Sequence, residues 1–237
     1  MSNTYFQFKQ FRIAQENCAM KVTTDTCIQG AWTPVLPNVW KALDIGAGTG
    51  LLSLMLAQRS PHIIIDAIEL DRETAEQAED NISASHWAGR INVLEGDART
   101  FVSGHKYDLI IVNPPFFHNS LHSDDVRKTN ARHTLSLNYH ELLDAIETNL
   151  DDNGYISILL PYPEYELWKG LLEKRGWNEC GKLSISHKPQ APVKRIVGLF
   201  SIKEMPAIKE ETLIIKNEEQ QYTAAFKNLL APFYLDL

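Results

Sequence analysis

The stretch Leu43-Asp44-Ile45-Gly46-Ala47-Gly48-Thr49-Gly50 joins an apolar run, residues 39–45, to a helix-like segment, residues 51–58. Because glycine has no Cβ, it permits a tight turn and a close approach of the backbone to a ligand. The stretch therefore predicts a strand-to-helix turn at an edge where an α/β sheet binds its ligand. Glycine spacing alone does not separate a dinucleotide loop from a simple tight connection.

Two acidic residues narrow the interpretation of this turn. Glu69 ends the second predicted strand, near the spacing from the glycines at which an acidic side chain binds a ribose diol. Asp97 follows the third predicted strand, where a carboxylate can accept a hydrogen bond from an adenine amino group. The combination predicts a nucleoside site whose cofactor-binding candidates are Asp44, Gly46, Gly48, Gly50, Glu69 and Asp97.

Strand-like and helix-like segments alternate along the centre of the chain, as in a mostly parallel sheet with helices on both faces. The predicted strands span residues 39–45, 62–70, 90–94, 107–112, 155–160, 177–186 and 193–202, and the predicted helices residues 51–58, 71–85, 139–150 and 162–175, with Asp71 as an N-cap. The short connection 187–192 implies that the last two strands are antiparallel. The pattern predicts an α/β fold with a doubly wound, seven-stranded, mostly parallel sheet of the class I methyltransferase (Rossmann-like) type, whose last strand is antiparallel.

The motif Asn113-Pro114-Pro115-Phe116 directly follows the predicted strand 107–112. Neither proline can donate to a strand ladder, and the residue before a proline avoids the α region, so the chain leaves the sheet in a stiff turn. The third glycine of the first turn comes one residue too early for a dinucleotide fingerprint, and nicotinamide chemistry has no use for the proline motif. Transfer of a methyl group from S-adenosylmethionine to a planar amine does use it.

The chemistry of an exocyclic amine gives each motif residue a role. The lone pair of adenine N6 is delocalised into the ring, and acceptors that bind both N6 hydrogens make that lone pair more available. The Asn113 side-chain oxygen and the Pro114 carbonyl are the expected acceptors, and Phe116 is expected to stack on a flipped base. The catalytic candidates are therefore Asn113, Pro114, Pro115 and Phe116.

The composition excludes several classes of protein. A net charge of −7 argues against a general nucleic-acid coat. No apolar run approaches about 18 residues, the amino terminus has no signal-peptide core, and the three cysteines have no metal spacing. We expect a cytoplasmic, metal-free protein without a membrane partner, with a monomer favoured over an oligomer.

One region departs from the acidic average, because residues 169–203 contain eight basic and two acidic residues, a local net charge of +6. Beside a nucleobase site, this region is a candidate for binding RNA phosphates; solvated surface faces are the alternative. The long segment 117–133 is predicted to be a lid that orders on RNA or a solvated loop. The RNA-binding candidates are Arg127, Lys128, Arg132, Lys188, Lys194 and Arg195.

Three N-terminal stretches carry a resemblance to a known family: FQFKQF at residues 6–11, CAMKVTTD at 18–25 and GAW at 30–32. With the glycine turn, the Asn-Pro-Pro-Phe motif and residues 194–196, the chain resembles the bacterial tRNA1(Val) (adenine-37-N6)-methyltransferases over nearly all of residues 5–202. The resemblance implies methylation of adenine 37 in a tRNA anticodon loop, with S-adenosylmethionine as donor. It also implies that Lys21, Thr24 and Asp25 cover the methionyl end of the donor.

The resemblance divides the chain into three expected regions. Residues 1–38 are an N-terminal extension that packs over the cofactor site, and residues 39–203 are the S-adenosylmethionine-dependent methyltransferase domain. Residues 204–237 are a C-terminal tail with a short strand and a helix, found in only part of the family. Close relatives often have Tyr at the position of Phe116, a change that preserves stacking.

Three other functions share parts of this pattern. Enzymes that methylate protein glutamine side chains have a similar Asn-Pro-Pro-aromatic motif, but they usually carry an N-terminal helical domain, for which residues 1–38 are too short and too aromatic. N6-adenine methylation of another RNA or of DNA is the second alternative. A non-catalytic RNA-binding scaffold is the third, and the intact motif beside an intact glycine turn counts against it.

Overall fold

The computed structural model describes residues 3–18, 20–114, 137–203 and 210–237. Its strands are β1 Tyr5–Gln7, β2 Arg12–Ala14, β3 Lys41–Ile45, β4 Ile64–Glu69, β5 Ile91–Glu95, β6 Tyr107–Val112, β7 Leu150–Pro161, β8 Asn178–Ser186, β9 Arg195–Ser201 and β10 Glu210–Ile214. Its helices are α1 Thr24–Trp32, α2 Leu51–Arg59, α3 Arg72–Ser83, α4 Tyr139–Asn149, α5 Tyr162–Lys174 and α6 Ala224–Leu230. None of the helices in these described ranges has both the length and the apolar character to cross a membrane.

Eight strands form one sheet in the order β5-β4-β3-β6-β7-β9-β8-β10. Neighbouring strands are parallel except at β9, which runs antiparallel to both β7 and β8. The predicted seven-stranded arrangement is therefore confirmed, and β10 extends it by one strand. This extra strand comes from the C-terminal tail and pairs in parallel with β8.

Both faces of the sheet are buried, because alternate residues of a strand point to opposite sides. In β6, Leu109 and Ile111 join the apolar cluster that includes residues of α1, α2 and α6. Ile110 and Val112 join the opposite cluster, which includes residues of α4 and α5. The double burial explains why the sequence of β6 is a continuous apolar run, and it leaves the carboxyl ends of the strands as the edge where a ligand can bind.

The two ends of the chain meet on helix α1. Strands β1 and β2 form an antiparallel hairpin, and the backbone N–H of Lys9 donates to the carbonyl of Phe233 at 2.8 Å. Helix α6 packs against α1, and Trp32 Nε1 at the end of α1 donates to Glu211 Oε2 of β10 at 2.8 Å. The C-terminal tail therefore holds α1 against the sheet, and the N-terminal hairpin is bonded to that tail.

Gly198 in β9 lies where the core has no room for a side chain. A Cβ there would lie 2.5 Å from Tyr165 Cε2 and 2.7 Å from Phe200 Cε2, and both rings are buried. We expect Gly198→Ala to lower the free energy of unfolding by about 1–3 kcal/mol in urea denaturation. Gly170→Ala in α5 is the control, since its Cβ would meet nothing within 4 Å, and it should be neutral or slightly stabilising. Equal stabilities of the two variants would contradict this packing.

Candidate active site

Three glycines give the turn after β3 its shape. Gly46, Gly48 and Gly50 have φ angles of +70°, +56° and +79°, in the left-handed region that favours glycine. The backbone N–H groups of Gly46 and Ala47 both donate to the carbonyl of Ile68, which ties the turn to the end of β4. The turn therefore lies at the carboxyl edge of the sheet, where the sequence places it.

Asp44 lies behind this turn and not on the cavity wall. Its side chain is fully buried, and Oδ2 accepts hydrogen bonds from the backbone N–H and the hydroxyl of Ser53, at 3.2 and 2.7 Å. Ser53 lies in the first turn of α2, whose N-cap, Gly50, has no side chain to cap the helix. Asp44 therefore caps α2 from below the turn. Burial raises the pKa of Asp44 to about 7, although the hydrogen bonds from Ser53 oppose this.

Glu69 and Asp97, the two acidic residues singled out from the sequence, line the cavity beside the turn together with Asp71. Glu69 accepts from the backbone N–H of Gly48 at 2.9 Å and from that of Asp71 at 3.0 Å, so it bridges two loops. Asp97 forms a bidentate ion pair with the guanidinium of Arg99, with a shortest N–O distance of 2.6 Å. The hydrogen bonds from Arg99 hold the pKa of Asp97 below its ordinary value. Sequence reasoning missed Arg99, which also lines the cavity.

The cavity itself has a volume of about 640 Å³ and lies above the carboxyl ends of β3, β4 and β6. This volume is within the range of small-molecule and cofactor sites. Apolar side chains, including Met20, Leu70 and Leu137, cover much of its wall. The cavity brings together six of the sequence-based candidates, Gly46, Gly48, Glu69, Asp97, Asn113 and Pro114.

The Asn113 side chain is hydrogen-bonded at one end only. Its Nδ2 donates to the hydroxyl of Thr26 at 2.9 Å, whereas Oδ1 is buried and has no hydrogen-bond partner among the described residues. A buried acceptor without a partner costs free energy, and its position on a cavity wall points to a ligand that donates. Pro114 follows on the same wall, and Pro115 and Phe116 lie outside the described residues.

The N-terminal candidates lie at or just before the start of α1, and none of the three is among the residues that line the cavity. Thr24 and Asp25 are the first two residues of this helix, and Asp25 Oδ2 is 3.4 Å from Arg195 Nε. Burial raises the pKa of Asp25, and the positive charge of Arg195 opposes the rise. Lys21 Nζ lies 3.5 Å from the carbonyl of Asn3. Their neighbour Met20 is the N-terminal residue that lines the cavity.

Sequence reasoning also missed Thr26. Thr23 is the N-cap of α1, and its hydroxyl accepts from the backbone N–H of Thr26 at 3.2 Å. A threonine at the N-cap position, whose hydroxyl accepts from the N–H group three residues later, is a recognisable sequence pattern. It could have predicted where α1 begins. No local signal links Thr26 to Asn113, which is 87 residues away in the chain.

Comparison with known proteins places this site in a family. Residues 33–153 match the family described as the methyltransferase small domain. The chain is 40% identical over 236 residues to the tRNA1(Val) (adenine(37)-N6)-methyltransferase of Dyadobacter fermentans, and the alignment covers 98% of each protein. Proteins of the same name are 39% identical in Bacteroides fragilis strain YCH46, over 100% of both chains, and in Serratia proteamaculans, over 97% of this chain and 89% of the relative. The chain belongs to this family.

Solved structures are similar to the methyltransferase in fold. A protein of Agrobacterium tumefaciens described as a predicted O-methyltransferase has a TM-score of 0.67 at 16% identity, over 88% of this chain and 96% of that chain. The ribosomal protein L11 methylase of Lactobacillus delbrueckii subsp. bulgaricus has a TM-score of 0.57 at 16% identity, over 81% and 84% of the two chains. The class I methyltransferase fold is therefore confirmed.

The fold places the cations of the basic region, residues 169–203, in different parts of the methyltransferase. Among the described residues, four of its cations form ion pairs with acidic side chains: Lys169 with Glu179, Arg175 with Asp144 and Glu147, Lys182 with Glu210, and Arg195 with Asp25. Lys188 lies between β8 and β9, and Lys194 and Arg195 lie at the start of β9, at the edge where β6 and β7 end. Within the described ranges, neither Lys188 nor Lys194 forms an ion pair. The candidates Arg127, Lys128 and Arg132 lie outside those ranges.

Metal-binding side chains are not clustered in the part of the methyltransferase that the structure describes. There, no group of three or more His, Cys, Asp or Glu side chains is arranged to hold a metal ion. The carboxylates at the cavity are instead engaged with backbone N–H groups and with Arg99. This arrangement leaves them available as additional acceptors for hydroxyl and amino groups, because each carboxylate oxygen has more than one acceptor position.

The buried Asp44 predicts how the stability of the ligand-free methyltransferase depends on pH. Its pKa rises from 3.8 to about 7 on folding, so the folded state binds this proton more tightly than the unfolded state does. Asp44 therefore imposes no penalty below pH of about 4, an increasing penalty above it, and the full penalty above pH of about 7. Chemical denaturation across this window should show the free energy of unfolding falling with pH, and Asp44→Asn should make the fall shallower.

The control for this pH series is Asp80→Asn, which removes an exposed carboxylate on α3. Its stability profile should follow that of the wild type. An Asp44→Asn profile with the wild-type slope would contradict the raised pKa of Asp44.

Proposed function

We propose that this chain methylates N6 of adenine 37 in the anticodon loop of tRNA1(Val), with S-adenosylmethionine as the methyl donor. The observation that carries the proposal is the buried Oδ1 of Asn113, which has no partner among the described residues and belongs to the wall of a nucleoside-sized cavity. An exocyclic amine offers hydrogen-bond donors to this acceptor. Relatives that align over nearly their full length and carry this activity in their names support the choice of substrate.

The residues around the cavity fit S-adenosylmethionine, which supplies an activated methyl group on a sulfonium. A Cβ at Gly46 would meet no atom within 4 Å, so this side of the turn is open to the cavity that Gly46 lines. Glu69 would accept from the ribose hydroxyls and Asp97 from the adenine amino group of the donor. The segment that carries Lys21, Thr24 and Asp25 would cover the methionyl end.

Asn113 and Pro114 would prepare the acceptor nitrogen. Asn113 Oδ1 accepts one N6 hydrogen and the Pro114 carbonyl accepts the other, which favours a pyramidal nitrogen with a more available lone pair. The reaction then needs mainly alignment of the reacting atoms at about 3–3.5 Å, and no strong base. Phe116, beyond the described residues, would stack on the flipped adenine, an interaction worth roughly 1–3 kcal/mol.

The carboxyl ends of β6 and β7, where β9 begins, offer a surface for the RNA around the flipped base. Lys194 is exposed, and its carbonyl accepts from the backbone N–H of Tyr162 at 3.3 Å. Tyr162 begins α5 directly after β7, and its side chain is 46% exposed. Lys188 and Lys194 can bind phosphates and the exposed ring can stack on an unpaired base, as expected for an anticodon loop.

This function also assigns the regions of the chain. Residues 39–203 are the catalytic domain, residues 1–38 are an N-terminal extension that includes α1, and residues 204–237 are a C-terminal tail whose helix α6 packs on α1. We place the enzyme in the cytoplasm, because its substrate is a tRNA.

Asn113→Ala tests the catalytic assignment. We expect methyl transfer to unmodified tRNA1(Val) to fall by on the order of 100-fold or more, because the variant lacks the acceptor that acts on N6, while calorimetric binding of S-adenosylmethionine changes little. Asn178→Ala, an exposed side chain at the opposite edge of the sheet, is the control and should keep wild-type turnover. Near wild-type turnover of Asn113→Ala would remove Asn113 from the mechanism, and label on protein instead of tRNA would favour glutamine methylation.

Charge reversal at Lys188 and Lys194 tests the RNA surface. The double change to Glu should weaken tRNA binding by roughly tenfold or more and reduce the slope of log Kd against log salt concentration by about 2, as expected when two phosphate contacts are lost. Filter binding at several salt concentrations measures both quantities. The control changes Lys41 and Lys174 to Glu, which alters net charge equally at the opposite edge of the sheet. Equal effects of the two double variants would contradict a localised surface.

A further inference from the structure

Three side chains form a continuous hydrogen-bonded chain at the start of α1. The hydroxyls of Thr23 and Thr26 lie 2.8 Å apart, and the Thr26 hydroxyl accepts from Asn113 Nδ2 at 2.9 Å. Thr26 is buried, whereas Thr23 is exposed. The chain therefore leads from the surface to the side-chain amide that faces the cavity.

The orientation of the Asn113 amide decides what the cavity offers to a substrate. The oxygen and nitrogen ends of an asparagine side chain are nearly equal in size, so packing alone does not distinguish them. With Oδ1 toward the substrate, the amide accepts from an amine. With Nδ2 toward the substrate, two donors would face each other. Something other than shape must therefore select the orientation.

The hydroxyl of Thr26 can select the orientation of the Asn113 amide because its single proton can be donated to the Thr23 hydroxyl. A threonine hydroxyl has one donor and two acceptor positions. If Thr26 donates to the Thr23 hydroxyl, only acceptor positions remain for Asn113, and these match Nδ2 and not Oδ1. Thr23 has acceptor capacity for this proton as well as for the backbone N–H of Thr26, which lies 3.2 Å from its oxygen.

We propose that Thr26 is a positioning residue that holds the Asn113 amide with Oδ1 toward the substrate amine. This inference rests on the proposed function. Helix α1 is well fixed for this role, because Gln29 Nε2 donates to the carbonyl of Val112 at 3.0 Å, next to Asn113 in sequence. The hydroxyls of Thr33 and Ser157 add a second buried link at 2.7 Å. The hydrogen bond from Asn113 to Thr26 is therefore made to a residue of a helix that is fixed in place.

Four variants test the proposal: Thr26→Val, Thr26→Ser, Asn113→Ala, and the double variant that combines Asn113→Ala with Thr26→Val. Valine keeps the shape of threonine but cannot accept from Nδ2, so kcat for tRNA methylation should fall by roughly tenfold while Kd for S-adenosylmethionine and Tm stay close to wild type. Serine keeps the hydroxyl and should restore most of kcat. In the Asn113→Ala background, Thr26→Val should cause no further loss, because the two residues act through one interaction.

A second measurement does not depend on methyl transfer. The side-chain NH2 signals of Asn113, identified in the NMR spectrum by their loss in Asn113→Ala, should shift in Thr26→Val and stay near their wild-type positions in Thr26→Ser. Unshifted signals in Thr26→Val, a wild-type kcat for that variant, or an equal loss in Thr26→Ser would each overturn the positioning role. If the wild-type enzyme methylates no tRNA but the NMR shift is seen, the proposed substrate fails and the amide orientation by Thr26 stands.

Discussion

The side-chain amide of Gln29 donates to the carbonyl of Val112, the last residue of β6, and this buried hydrogen bond fixes α1 over the end of a central strand. Gln29 is fully buried, and leaving a polar group unpaired in such surroundings costs about 1–3 kcal/mol. The bond therefore acts with the apolar packing of Cys27 and Ile28 to hold α1 on the sheet. Because Thr26 lies one turn earlier in α1 and Asn113 directly follows Val112, the same bond sets the distance at which their side chains meet.

The β1–β2 hairpin, β10 and α6 lie outside the alternating strand–helix core, and their contacts support α1. The β1–β2 hairpin bonds to the C-terminal segment through Lys9 and Phe233, and α6 packs on α1 itself. Trp32 at the other end of α1 bonds to Glu211 of β10, so the eighth strand also holds the helix. Segments more than 170 residues apart in sequence thus hold α1, the helix whose Thr26 contacts Asn113. An asparagine directly after a strand needs such support, because the prolines that follow it in the sequence cannot donate to a strand ladder.

Local patterns predicted much of this architecture, and long-range contacts account for what they missed. The glycine turn, the antiparallel β9 and the N-cap of α3 at Asp71 follow from spacing and residue type, and all are present. The pairing of β10 with β8 skips β9, the strand that lies between them in sequence, so no local pattern predicts it. The basic region was read as one surface because its charges are close in sequence, yet the alternation of helix and strands sends Arg175 to ion pairs with α4 and Lys194 to the cavity edge. The contact of Thr26 with Asn113 has no local signature at all.

The group that receives the methyl determines which part of the protein can distinguish one substrate from another. An adenine amino group and a glutamine side-chain amide both offer two in-plane hydrogens, so Asn113 and Pro114 suit either group equally well. Selection between them must come from groups that the small amine does not reach. The anionic backbone of a tRNA is the largest difference between the two substrates. Lys188 and Lys194, which form no ion pair with a described residue, lie at the edge where β6 ends. In a chain whose net charge is −7, a local positive edge would attract RNA to the cavity while the rest of the surface would repel it. Under the proposed assignment, the cavity sets the reaction and the edge sets the class of molecule that undergoes it.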